Sequence, residues 1–148
     1  MGTIVIETFI ARSPDEVFAY LRDYANEAEW QSAHVVEARV EPPGPAKVGT
    51  RCYKMRRTPS GAQRFMEEVT EMDETERRWV DVTRTGPFRG TKGLWQVSAA
   101  ESGSKVRLVA QMHANGLWRL LLPIVDRTAS KDLRAEFANL KRILEAAH

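Results

Sequence analysis

Apolar residues change their spacing three times along this chain. Thr3 to Ala11 is a β-branched run that predicts a strand. From Val35 to about Ala114, apolar and polar residues alternate in stretches of strand length. Between these, Ser13-Pro14-Asp15-Glu16 sets up a helix. Ser13 is placed to cap, Pro14 suits the first helical position, and Glu16 completes a capping box ahead of the stripe Val17, Phe18 and Leu21. A second short helix or turn carries Tyr24, Ala28 and Trp30. From Leu117 to Ala147 a helical spacing returns, with Leu122, Val125, Ala129, Leu133, Phe137, Leu140 and Leu144 on one face. A helix of that length runs roughly 45 Å at 1.5 Å per residue, more than one face of a small sheet needs for packing alone. The pattern therefore predicts an α+β fold in which a curved antiparallel sheet grips a long helix, with room for an apolar ligand between them.

Breakers place the strand ends. Val35 to Val40 is a strand closed by Pro42-Pro43-Gly44-Pro45, which cannot continue a ladder. From Thr50 onward the turns fall at Thr58-Pro59-Ser60-Gly61, a type I pattern, near Asp73-Glu74, at Gly86-Pro87, and at Glu101-Ser102-Gly103-Ser104. Such spacing is that of a meander. Pro123 predicts either a kink in the last helix or its true start, so Gly116 to Leu121 is set apart as a segment able to gate a cavity mouth.

Alternation assigns the faces. Trp95 and Val97 share one side of their strand, while Val106, Leu108, Ala110 and Met112 share another side opposite Arg107, Gln111 and His113. Phe65 pairs with Val69, and Tyr53 with Met55, in strands where a single bulge would reverse the assignment. Large aromatic and sulfur-bearing side chains suit apolar ligand sites, but they also fill cores. Trp95, Phe65, Met112 and Tyr53 are thus candidates for both roles. Trp30, after a short helix of mixed polarity, and Trp118, ahead of the proline, are expected at an opening. Leu121 and Val125 flank that opening from the start of the last helix.

Composition narrows the class. The 148 residues suffice for one domain, 1–148, able to bury a core without metal or disulfide staples. A net charge of +2 steers weakly toward anions. The single cysteine, Cys52, precludes an intramolecular disulfide, and no run of about 18 apolar residues or secretory leader is found, so a soluble cytoplasmic protein is expected. Met1-Gly2 is not a myristoylation signal, because Ile6 stands where Ser or Thr is needed.

Catalytic motifs are missing from the chain: there is no nucleophile elbow, P-loop, H-E-x-x-H or paired C-x-x-C. His34, His113 and His148 are too scattered to argue for a metal; His148 is terminal and expected to be disordered. His113 is expected on an exposed strand face, and Glu7 facing solvent, although either would handle protons if turned inward. Arg51, Lys54, Arg56 and Arg57 form a basic strand opposite an acidic arm with Glu67, Glu68, Glu71, Asp73, Glu74 and Glu76, which is read as a mutually paired outer face and not as a nucleic-acid groove.

The order of these elements carries a resemblance. The opening strand, Ala11-Arg12-Ser13-Pro14-Asp15-Glu16-Val17-Phe18, the downstream Trp30, the Val48-Gly49-Thr50 strand start, and the closing helix with Pro123 and Leu140-Lys141-Arg142-Ile143-Leu144-Glu145 resemble the START-like, or SRPBCC, superfamily, nearest the polyketide cyclase/dehydrase and lipid-transport type. The resemblance implies a helix-grip fold, with seven antiparallel strands curved around the long helix and a hydrophobic pocket between. It spans lipid carriers, hormone and allergen-like binders, aromatase/cyclases, quinone-binding accessories and stress-response proteins, and does not choose among them. Three classes follow: a carrier or sensor of a lipid-, quinone- or polyketide-like molecule; a cyclase or dehydratase using the same cavity; and a protein-interaction module. The first is favoured, because no two titratable residues converge in the sequence pattern. No cofactor or metal is implied. The expected partner is a small hydrophobic molecule, with no nucleic acid, at most transient membrane contact, and a monomer or weak homodimer.

Overall fold

The structure, a computed structural model, describes residues 2–58 and 61–147. Strand β1 (Thr3–Ile10) leads into helix α1 (Pro14–Arg22), a 3-10 turn (Tyr24–Asn26) and the short α2 (Glu27–Trp30). Six strands follow: β2 (Val35–Glu41), β3 (Arg51–Thr58), β4 (Gly61–Asp73), β5 (Arg78–Thr83), β6 (Lys92–Ala100) and β7 (Gly103–Gln111). A second 3-10 turn (Gly116–Arg119) precedes the closing helix α3 (Leu122–Ala146). The strands make one antiparallel sheet in the order β1-β7-β6-β5-β4-β3-β2, so every neighbour after β2 is the next hairpin and β1 closes on β7. This is the helix-grip arrangement. Pro59 and Ser60, at the centre of the expected β3–β4 turn, and His148 lie outside the described residues; Thr58 and Gly61 pair on either side.

Local chemistry starts α1 where expected. The Ser13 hydroxyl accepts the Glu16 N–H at 3.2 Å, and it donates to the Glu16 carboxylate at 3.0 Å. Satisfying a first-turn donor fixes the helix start and turns Val17, Phe18 and Leu21 onto the inner face of the sheet. Phe18 packs against Trp79 at 5.4 Å between ring centroids.

Helix α3 begins later than the apolar pattern suggests. Leu117 to Leu121 is not part of it, because Pro123 occupies the first helical turn, the place where a missing N–H is harmless. At 25 residues it spans about 37 Å. Its two halves are buried differently. Phe137, Leu140 and Leu144 pack tightly with Ile4, Ile6 and Val106 in the core, whereas Val125, Ala129 and Leu133 are only half-buried although they lie on the same apolar face. The first half of the helix has space beneath it. No helix among the described residues is long and apolar enough to cross a membrane.

Candidate ligand cavity

That space is a cavity of about 560 Å³, within the range that small-molecule sites occupy. One wall is the half-buried stripe of α3. The opposite wall is sheet: Trp95 of β6, Leu108 and Ala110 of β7, Met112 just beyond it, and Phe65 of β4. Phe88 and Trp118, which meet edge to face at 5.4 Å, stand at the open end. The Asn115 N–H ties the two loops that bear them by donating to the Pro87 carbonyl at 2.9 Å.

The buried end is charged. Lys54 of β3 points inward and its Nζ lies 2.8 Å from carboxylate oxygens of both Glu27 and Glu67. Beside it, Asp81 of β5 accepts the Tyr24 hydroxyl at 2.5 Å and the Trp95 indole N–H at 3.2 Å, both on Oδ2. Tyr24 in turn accepts the Trp79 indole N–H at 3.0 Å. Three carboxyl groups, those of the buried Glu27, the half-buried Glu67 and the buried Asp81, thus gather around one ammonium that pairs with only the first two. Burial pushes Asp81 up to about 8, reinforced by the charge of Glu67 and opposed by the Tyr24 hydrogen bond. Burial likewise pushes Glu27 up to about 7, against the pull of Lys54. For Lys54, burial works to lower the value, but Glu27 and Glu67 outweigh it and the ammonium is held well above its ordinary range. The cluster therefore keeps an extra proton near neutrality, and Asp81 is the carboxyl without a cation at hand.

A family model described as polyketide cyclase / dehydrase and lipid transport matches residues 1–145. The chain belongs to this family. Solved structures agree on the fold. TTHA0849 from Thermus thermophilus superposes with a TM-score of 0.83 at 18% identity, covering 98% of both chains. A START superfamily protein from Mycobacterium smegmatis gives 0.76 at 11% identity, covering 97% of both. The di-domain ARO/CYC BexL from the BE-7585A biosynthetic pathway gives 0.75 at 21% identity, covering 96% of this chain and 46% of that one. At these identities the likeness is one of fold. No curated protein matches the chain by sequence.

Against this polyketide cyclase / dehydrase and lipid transport framework, the sequence-derived residues fall into two groups. Phe65, Trp95, Met112, Trp118 and Val125 border the cavity. Trp30, Tyr53 and Leu121 do not. Trp30 is not at an opening: it is 1% exposed, locked edge-on against Trp95 at 6.1 Å and Phe137 at 5.8 Å. Leu121 is half-exposed beside the mouth, next to the exposed Leu117, Leu120 and Ile124. Tyr53 points to the outer face of the sheet, where the Arg39 guanidinium lies 4.5 Å above its ring.

The misplacement of Tyr53 and the missed cluster have one cause. Apolarity favours Tyr53 and Met55 as the inward side of β3, and so places Lys54 and Glu67 on a solvated outer face. Pairing Thr58 with Gly61 puts Lys54 opposite Phe65 and Cys52 opposite Glu67. Cross-strand partners share a face. Once Phe65 is inward, Lys54 and Glu67 must be inward too, and Tyr53 with Met66 outward. That register is the signal the sequence offers.

A second polar group lies along the side of the cavity. Glu136 of α3, 1% exposed, accepts from Arg56 at 3.0 Å and lies 2.7 Å from His34 Nδ1, while Asp132 one turn earlier is 3.4 Å from His34 Nε2. These contacts tie α3 to the β2–β3 side of the sheet. Glu7 and His113 face outward. Glu7 pairs with Arg107 at 3.0 Å, and His113 Nδ1 lies 2.9 Å from the Arg89 carbonyl, so neither enters the cavity.

Proposed function

We propose that the chain is a single START-like domain that binds a small hydrophobic molecule, of lipid, quinone or polyketide type, between sheet and helix, as a carrier or sensor. The observation that carries this reading is a wall of Trp95, Leu108, Met112 and the half-buried stripe of α3 around 560 Å³ of space. Apolar surface left uncovered by protein is worth about 25 cal/mol per Å² to whatever covers it. The exposed Leu117, Leu120 and Ile124 beside the mouth support brief contact with a membrane during loading. Mass spectrometry of the protein purified without denaturant tests the reading, together with titration by a naphthalene-type fluorescent probe. A co-purified apolar molecule, or saturable probe binding near one per chain, is expected; neither appearing would overturn it.

A cyclase or dehydratase reading draws on a separate observation, the convergence of Glu27, Lys54, Glu67, Asp81 and Tyr24 at the buried end. Turnover of an enolisable polyketide-like ketone, lost in Asp81→Asn, would favour it over the carrier reading.

A further inference from the structure

We propose that the buried end of the cavity is a binding site for a ketone or quinone carbonyl, and that Asp81 holds this oxygen by donating a hydrogen bond from its Oδ1 as a neutral carboxylic acid. The proposal rests on the ligand-binding reading above and names the polar end of the molecule that reading requires.

The geometry separates the two oxygens of Asp81. Oδ2 takes both protein donors, Tyr24 Oη and Trp95 Nε1, and so plays the part of a carbonyl oxygen. Oδ1 has no hydrogen-bond partner among the described residues, while the residue itself is 6% exposed and borders the cavity. Space around Oδ1 is provided by Gly93, its cross-strand partner, since a Cβ there would sit 2.5 Å from Oδ1 and 3.2 Å from Trp95 Nε1. A glycine opposite an inward acid keeps that oxygen clear.

Charge decides the form. The nearby cation, Lys54, is divided between Glu27 and Glu67 and makes no ion pair with Asp81 among the described residues, so its pull on Asp81 is outweighed by burial and by Glu67. The groups that face it are Tyr24 and Glu27 from the α1–α2 segment, Cys52 and Lys54 from β3, and Glu67 from β4. Burial raises both the Tyr24 hydroxyl and the Cys52 thiol, so neither becomes an anion in the neutral range. A carboxyl so placed retains its proton, and its O–H, on the side that borders the cavity, is free to donate to an acceptor that enters there. An acceptor-only oxygen fits. A ligand carboxylate does not, with three carboxyl groups close by. The flat body of an aryl ketone or quinone would then lie along Trp95, Leu108 and Met112.

The test compares acetylnaphthalene with isopropylnaphthalene, which match in shape and differ in the carbonyl, by calorimetric titration of the full chain. Near pH 6 the ketone should bind about fivefold to tenfold more tightly than the hydrocarbon, as one hydrogen bond warrants. That advantage should vanish near pH 9.5, where Asp81 is ionised, while hydrocarbon affinity stays level. Asp81→Asn keeps a donor and should keep the preference at both pH values; Asp81→Leu should bind both probes equally. Equal affinities in the unmodified protein near pH 6 would overturn the proposal while leaving the cavity reading intact. A pH dependence that persists in Asp81→Asn would also overturn it, by assigning the titration to another group such as Glu27. Binding of neither probe would overturn the cavity reading itself, and this proposal with it.

Discussion

The two halves of the sheet's inner face are built from opposite materials. On β1, β6 and β7 it carries Ile4, Ile6, Ile10, Trp95, Val97, Val106 and Leu108, most of it covered by α1 and the second half of α3, with Trp95 and Leu108 reaching the cavity wall. On β3, β4 and β5 the buried Val69 and Trp79 are joined by Cys52, Lys54, Arg56, Phe65, Glu67 and Asp81, and over most of these polar positions α3 stands off. Packed protein requires apolar surface to be matched by apolar surface. Where the helix does not touch, the sheet is free to carry polar groups as long as they satisfy one another. The first half supplies most of the core, and the second places a cluster of charged groups against the cavity.

Removing the cation of the polar half should have the largest effect. Lys54→Ala leaves the buried Glu27 facing Glu67 with no cation between them, and losing one partner of a buried charge pair costs about 3–5 kcal/mol. Urea unfolding near neutral pH should show that loss. A cost under about 1 kcal/mol, the level of an exposed ion pair, would mean that this half is effectively solvated and that the contrast between the halves is false.

The same contrast governs what can be read from residues alone. On β6 and β7 alternation places Trp95 and Leu108 and, just beyond β7, Met112 inward and His113 outward; on β1 it places Glu7 outward, although the apolar Val5 and Phe9 share that outer face. On β3 polarity misreports the face: the inward positions are Cys52, Lys54 and Arg56, and the outward ones include Tyr53 and Met55. Only pairing register resolves this, and register is a property of two strands at once. Glu27, Tyr24 and Asp81 come together from segments more than fifty residues apart, with no local spacing to betray them. The helix start at Ser13 is legible because capping is local; the break before Leu122 is legible as one of two outcomes, since Pro123 permits a kink or a start and tertiary packing selects.

A smaller effect, and one with a sign, comes from Asp81. Its folded value near 8 lies above the ordinary 3.8, so between those pH values the native state holds a proton that the unfolded chain releases. Stability contributed at this site therefore falls as pH rises through that window and is level above it. Asp81→Asn removes the dependence. Relative to the unmodified protein, the variant should gain on the order of 1–3 kcal/mol between pH 4 and pH 8, measured as the difference between two urea midpoint profiles. Parallel profiles would show that Asp81 is ionised in the native state and that the cluster is wetter than its packing suggests. Glu27 acts in the same sense over a lower window, ending near 7, so the slope that remains in the variant should flatten there.

The smallest effect on stability is expected where the two halves meet at the mouth. Trp118 is 38% exposed and touches Phe88 edge to face, so truncating it removes one ring contact worth about 1 kcal/mol and leaves the core intact. Its ring nonetheless borders the cavity, and Trp118→Ala should weaken a naphthalene-type probe several-fold, a larger change in binding than in melting temperature. The ratio carries the information. A residue of the apolar half, such as Phe137, couples stability and binding because it supports both, and its truncation should cost about 3–5 kcal/mol. If Trp118→Ala leaves probe affinity unchanged, the open end does not hold the ligand, and binding is confined to the space between Trp95 and Asp81.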